Sequence, residues 1–197
     1  MWQQFLPGLR LNIFATILLG IVYPLAITGI CQVVFPHQAN GSLITRGNQV
    51  IGSQWIGQNF TRPEYFQPRP SGAGSGYDAT SSGASNYGPT NQKLIDRVKA
   101  SIEKFRKENP DYQGPIPADL VTASASGLDP HISPDSAEAQ APRIAKARGV
   151  AVDQVSSLIA RFTEGPTFGV LGEPRVNVLQ LNLALDDATH GGTSVKR

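Results

Sequence analysis

Between Arg10 and Arg46 the chain carries no Asp, Glu, Lys or Arg. Inside that gap, Leu11 to Phe35 reads LNIFATILLGIVYPLAITGICQVVF, 25 residues without an ionised group. About 20 helical residues cross the hydrocarbon core of a bilayer, so the segment is long enough to span with some tilt. In lipid every backbone N–H and C=O needs an internal partner, and a helix supplies them. The segment therefore predicts one membrane-spanning helix. Pro24 removes a donor near its middle and predicts a kink. Trp2, Phe5 and Phe35 stand where interfacial aromatic residues are expected. A cleaved signal peptide fits less well. Its apolar core is usually about 7–15 residues and ends in a small-x-small site, whereas this core is longer and ends in VVFPHQ.

Thr16, Gly20, Pro24 and Thr28 recur every four residues, which places compact groups on one helix face. Such a stripe lets a second helix approach closely, whereas a lipid-facing surface gains nothing from being small. It predicts a packing face for partner membrane helices. Orientation rests on Arg10 and the α-amino group on one side and Arg46 about ten residues beyond the other. Positive-inside bias then places the N-terminus in the cytoplasm and the polar domain outside.

The remaining residues are polar. Every acidic residue and all 17 basic residues except Arg10 lie from Arg46 onward, and the net charge is only +2. A nucleic-acid surface would need clustered Lys and Arg. The one cysteine, Cys31, lies in the apolar segment, so the polar domain has no disulfide and no cysteine-based metal site. The expected architecture is α+β. A tail (1–10) and a single transmembrane helix (11–35) precede one mixed α/β extramembrane domain (36–190) and a short tail (191–197).

Within that domain, SLITRGNQVIG (Ser42 to Gly52) reads as a hairpin turning at Arg46-Gly47-Asn48. From about Gln58 to Asn91 the chain is irregular and rich in Pro, Gly and Ser, yet it carries Phe60, Tyr65, Phe66, Tyr77 and Tyr87. Flexible linkers are poor in aromatic residues, so this region predicts an ordered functional loop. Asn91 to Asn109 is an amphipathic helix with Thr90 or Asn91 as cap, a stripe of Leu94, Ile95, Val98, Ile102 and Phe105, and Pro110 as stop. PADLVTASASGLDPHISP reads as loop. Ser133-Pro134 starts a helix expected to run to Arg148, with Pro142 bending it and Gly149 at its end. Val152 to Phe162 is a further short helix. RVNVLQLNLALD alternates apolar and polar residues and reads as a half-buried strand with a possible bulge at Val178–Leu179.

Tests for chemistry are mostly negative. Gly72-x-Gly74-x-Gly76 has the wrong spacing for a dinucleotide fingerprint. The chain has no Gly-Lys pair, which excludes a P-loop. There is no nucleophile–base–orienter set for a hydrolase, so no catalytic residue is assigned. His37, His131 and His190 are isolated, and no metal site is expected. SSGASNYGPTN (Ser81 to Asn91) is dense in hydroxyls, amides and glycines just before a helix. It suits either an anion at the helix N-terminus or ordinary turn and capping chemistry. VTASASGLDPH (Val121 to His131) is ambiguous in the same way.

Taken in order, several strings carry a resemblance. They are Tyr23-Pro24-Leu25, QANGSLI (38–44), IGQNF (56–60), Tyr65-Phe66 with Arg69-Pro70-Ser71, SGASN (82–86), LVTASASGLD (120–129), RIAKAR (143–148) and VNVLQLNLALD (176–186). Across nearly the whole chain this resembles the C subunit of the Kdp-type potassium-transporting ATPase of bacteria, the KdpC family. Ala84 departs from the pattern, standing where a glycine is common. The resemblance implies a non-catalytic accessory subunit of an ATP-driven potassium import complex in the bacterial inner membrane. Its implied partners are a channel-like potassium-binding subunit, a P-type ATPase catalytic subunit that holds the phosphorylated aspartate, and a small membrane subunit. The chain has neither a TVGYG-like filter nor a DKTGT motif, which agrees with an accessory role. The family role implied is that of a catalytic chaperone raising the ATP affinity of the ATPase subunit. Ser82, Gly83, Ser85 and Asn86 would then contact the nucleotide, and potassium would be the ion carried by the complex. That role conflicts with an outward polar domain, which cannot reach cytoplasmic ATP. The alternative is an extracytoplasmic cap over the ion entrance of the channel-like subunit, with no nucleotide role.

Overall fold

In the computed structural model the apolar segment is helical from Gln4 to Val34, a run of 31 residues. The structure describes the backbone of residues 2–190 and the side chains of residues 4–189. The expected tail 191–197 and the side chains of Trp2 and His190 lie outside the described residues. Contacts separate the chain into two units, Met1–Leu43 and Ile44–Arg197.

The first unit contains α1 (Trp2–Ile17), a π-helical turn (Leu18–Val22), α2 (Tyr23–Val34) and the single turn α3 (Pro36–Ala39). The π turn answers Pro24. Proline has no N–H for the carbonyl four residues back, and its ring crowds that carbonyl. Widening the ladder by one residue just before the proline relieves both problems, and the Tyr23 N–H bonds to the Leu18 carbonyl. The Thr28 hydroxyl donates back to the Pro24 carbonyl at 2.8 Å. Thr16, Gly20, Pro24 and Thr28 are all exposed, and no atom lies within 4 Å of a Cβ placed on Gly20.

The second unit opens with a hairpin, β1 (Leu43–Arg46) and β2 (Gln49–Ser53), as the turn residues predict. After the long irregular segment come α4 (Gln92–Glu108), a 3₁₀ turn (Ala118–Leu120), β3 (His131–Ile132), α5 (Pro134–Glu138), α6 (Ala141–Arg148), α7 (Val152–Phe162), β4 (Thr163–Glu164), β5 (Arg175–Asn177) and α8 (Val178–His190). Asn91 caps α4 by accepting from the Lys93 N–H. Of the stripe expected on α4, Phe105 is buried, Leu94, Val98 and Ile102 are half-buried, and Ile95 is exposed. The helix expected over 133–148 is two helices. Ser133 caps α5, the chain turns at Ala139–Gln140, and Pro142 sits in the first turn of α6 rather than bending a longer helix. Gly149 takes the left-handed conformation, φ +67°, that ends α6.

The C-terminal string corrects the sequence reading. Only Arg175–Asn177 is strand, the central member of an antiparallel sheet of order β3-β5-β4. From Val178 the chain is helical. Leucines at 179, 181, 183 and 185 satisfy a period of two, but they equally form two i,i+4 pairs. Leu181 and Leu185 face the main core, and Leu179 and Leu183 face the hairpin residue Ile44. Both sides of α8 are buried, so the leucines mimic a strand pattern. Leucine is also a better helix former than the β-branched residues that favour strands.

The main core gathers Ile132, Ile144, Val155, Ile159, Val176, Val178, Leu181 and Leu185 around Phe66, which is fully buried. Phe66 belongs to the irregular segment, whose backbone polar groups still need partners inside the protein. Side chains provide them. Asn182 accepts from the Phe66 N–H at 2.8 Å and donates to its carbonyl at 3.0 Å. Gln140 does the same for Gln67, at 2.8 and 3.1 Å. Arg143, 8% exposed, donates to the Tyr65 and Pro63 carbonyls, to Asn109 and to Gln140. Burial pulls its guanidinium below the ordinary arginine range, and the Glu108 charge opposes that shift. Arg148 donates to the Glu64 carbonyl and pairs with Asp186 at 2.7 Å, with Tyr65 under its guanidinium. The irregular segment is thus a core layer built without a ladder. Replacing Asn182→Leu leaves two buried backbone groups of Phe66 without partners and is expected to cost about 3 kcal/mol. Urea unfolding of the full chain in detergent, followed by near-UV circular dichroism, measures this. A loss near zero would mean that the amide is not needed.

Candidate functional site

The two hydroxyl-rich strings lie against each other. The Ser82 hydroxyl and the Gly83 N–H both donate to the Ser126 carbonyl, at 3.0 and 2.9 Å. Ser71 ties the pair together. Its hydroxyl donates to the Gly127 carbonyl at 2.6 Å and accepts from the Ala73 and Tyr77 N–H groups. Gly127 sits at φ +69°, and a Cβ there would stand 2.6 Å from the Ala73 nitrogen and 2.8 Å from the Gly83 carbonyl. Only glycine lets the loops approach this closely.

Of the four residues implied for nucleotide contact, Ser82 and Gly83 are bonded to Ser126 as above. The Ser85 hydroxyl accepts from Arg97 Nη1 at 2.9 Å. Asn86 is exposed and holds φ +48°, a conformation asparagine tolerates better than most residues. Arg97 also lies over the Tyr87 ring, 5.7 Å from its centroid. The structure therefore joins SGASN to LVTASASGLD, and through Arg97 to α4.

Beside these loops runs a polar cleft of about 220 Å³, lined in part by Arg69, Ser71, Tyr77, Ser101, Lys104 and Gln140. Ser82, Gly83, Ser85 and Asn86 are not among its lining residues. Arg69, on its wall, belongs to a cluster that the sequence did not reveal. Arg69 Nη1 stands 3.1 Å from Asp129 Oδ2, and His131 meets Oδ1 of the same carboxylate, its N–H at 3.0 Å and its ring Nδ1 at 3.4 Å. The Tyr77 hydroxyl donates to the Arg69 carbonyl at 2.6 Å. Burial, then the nearby Asp129 charge, push this phenol above its ordinary range. Burial also works against ionised Asp129, but hydrogen bonds from His131 and the Arg69 charge outweigh it and hold the carboxyl below the usual range. His131 read as isolated in the sequence, and Arg69, the other partner of Asp129, is 60 residues away from it.

Chemically this is a fixed hydrogen-bonded framework. Among the described residues, no group of three or more His, Cys, Asp and Glu side chains is placed to hold a metal ion. Because folding lowers the Asp129 pKa, its ionised form stabilises the fold above the ordinary carboxylate range. That contribution is lost as pH falls through the lowered value. The wild-type chain should lose urea resistance on acidification below about pH 4, and Asp129→Asn should flatten that acid limb. Midpoints measured from pH 6 to pH 3 test it; parallel curves for the two proteins would contradict it.

The family model described as K+-transporting ATPase, c chain (KdpC), matches residues 5–187. A potassium-transporting ATPase KdpC subunit from Myxococcus xanthus is 57% identical over 187 residues, covering 94% of this chain and 89% of the relative. One from Rhodospirillum rubrum is 58% identical over 181 residues, covering 92% and 94%. One from Koribacter versatilis is 52% identical over 187 residues, covering 94% and 95%. A match over this span, at this identity and with one candidate membrane span in front of a mixed helix–strand region, places the chain in a family: it belongs to the KdpC family, the c chains of K+-transporting ATPases.

Proposed function

We propose that this chain is the anchored, non-catalytic subunit of a potassium-transporting ATPase complex, and that its polar domain acts outside the cytoplasm as a cap over the ion entrance of a channel-like subunit. The observation that carries the assembly role is the exposed Thr16–Gly20–Pro24–Thr28 face on a 31-residue apolar helix. Lipid gives no reason for compact groups on one face, whereas a neighbouring helix does. The outward orientation rests on the charge distribution, with Arg10 before the span and no further ionised side chain until Arg46. Partners of the proposed complex are the channel-like subunit, the P-type ATPase subunit and a small membrane subunit in the bacterial inner membrane.

A second reading makes the polar domain a nucleotide contact that raises the ATP affinity of the ATPase subunit through Ser82, Gly83, Ser85 and Asn86. What favours it is the exposed pair Asn86 and Tyr87 beside Arg97, an aromatic face and a cation of the kinds that meet a base and a phosphate. What weighs against it is that the Ser82 hydroxyl, the Gly83 amide and the Ser85 hydroxyl already have partners within the chain.

Two experiments separate these readings. Gly20→Leu is expected to lower co-purification of the other subunits at least several-fold without unfolding the polar domain; unchanged yield and transport would remove the packing face. A reporter active only outside the cytoplasm, fused after Arg197, is expected to be active. An inactive reporter, together with ATP binding by the full chain that Ser85→Ala and Asn86→Ala reduce, would establish the nucleotide reading instead.

A further inference from the structure

Between β4 and β5 the chain makes an excursion whose tip is apolar and exposed. Phe168 is 91% exposed, Val170 79% and Leu171 61%. The tip is an ordered turn. Thr167 and Leu171 exchange N–H···O=C bonds at 2.8 and 3.0 Å, and the Gly169 N–H bonds to the Pro166 carbonyl at 2.9 Å. Phe168 holds φ +54°, a left-handed conformation seldom adopted by an aromatic residue. Strained backbone that presents a large apolar side chain to water does nothing for the folded domain itself. Such features occur where binding needs a preformed shape. A large aromatic side chain held on a fixed turn is an anchor of the kind that fills a pocket in a partner.

We infer that the Phe168–Val170–Leu171 knob inserts into an apolar pocket on another protein subunit of the transport complex, a conclusion that rests on the complex membership proposed above. Charge at the neck of the knob chooses the occupant. Glu164 is paired with Arg175 at 3.1 Å, while Glu173, exposed two residues past Leu171, has no ion pair among the described residues. A carboxylate there is repelled by an anionic lipid surface and suits a pocket rimmed by a cation.

The test uses the full complex. Phe168→Asn keeps a residue that accepts positive φ while removing the apolar group, so it changes binding without changing the turn. It should leave the melting temperature of the chain in detergent unchanged and lower its retention by the other subunits at least ten-fold, and Phe168→Leu should restore much of that retention. A photoreactive benzoylphenylalanine in place of Phe168 should cross-link to another subunit. Glu173→Lys should weaken subunit retention. Retention unaffected by Phe168→Asn, or cross-links only to lipid or to a second copy, would overturn the inference while leaving membership of the complex intact. A wild-type chain that captures no other subunit would instead overturn the reading on which it rests.

Discussion

The fold depends on how four side chains hold one stretch of irregular backbone. Residues 63–67 run through the domain without ladder partners, yet Phe66 is the fully buried centre of the core. Asn182 and Gln140 each present an amide that meets a backbone N–H and C=O at once, as a neighbouring strand would. Arg143 and Arg148 take up the Tyr65 and Glu64 carbonyls just before Phe66. A buried amide or guanidinium left without partners is costly, and so is a buried peptide group. Here each removes the cost of the other. The arrangement fixes α6, α8 and the loop layer relative to one another, and the loops carrying SGASN and LVTASASGLD extend from that layer.

This explains why strings far apart in sequence describe one object. RIAKAR supplies Arg143 and Arg148, the terminal leucine-rich string supplies Asn182, and Tyr65-Phe66 is what they grip. The serine- and glycine-rich loops then close through Ser71, Ser126 and Gly127, where a side chain on Gly127 would collide with Ala73. Much of what reads as a polar signature is therefore framework, with Asn86 and Tyr87 exposed and Arg69 on the wall of the cleft.

How much of this was legible depended on range. Local chemistry was readable: the Arg46–Asn48 turn, the Asn91 cap, the Gly149 stop and the length of the apolar span each follow from a few adjacent residues. The aromatic content of 58–91 correctly marked an ordered loop. Two local readings failed for identifiable reasons. Leucines at alternate positions fit both periods, and burial on both sides of α8 removed the polar face that would have told them apart. The helix break falls at Ala139–Gln140, where the Gln140 amide is bonded to Gln67, 73 residues away. The same long range hid the Arg69–Asp129 pair and the clamp on Phe66. The exposed Phe168 tip lies in PTFGVLG, for which the sequence carried no reading, and only the structure leaves its side chains uncovered.

The central claim is that the irregular segment is a rigid core layer and not a mobile loop. Native-state hydrogen exchange at the Phe66 and Gln67 amides measures this directly, since those protons are held by side chains alone. Protection comparable to that of the Ile144 and Leu181 amides in α6 and α8 is the result expected. Exchange at the rate of an open loop, with the helices still protected, would contradict it.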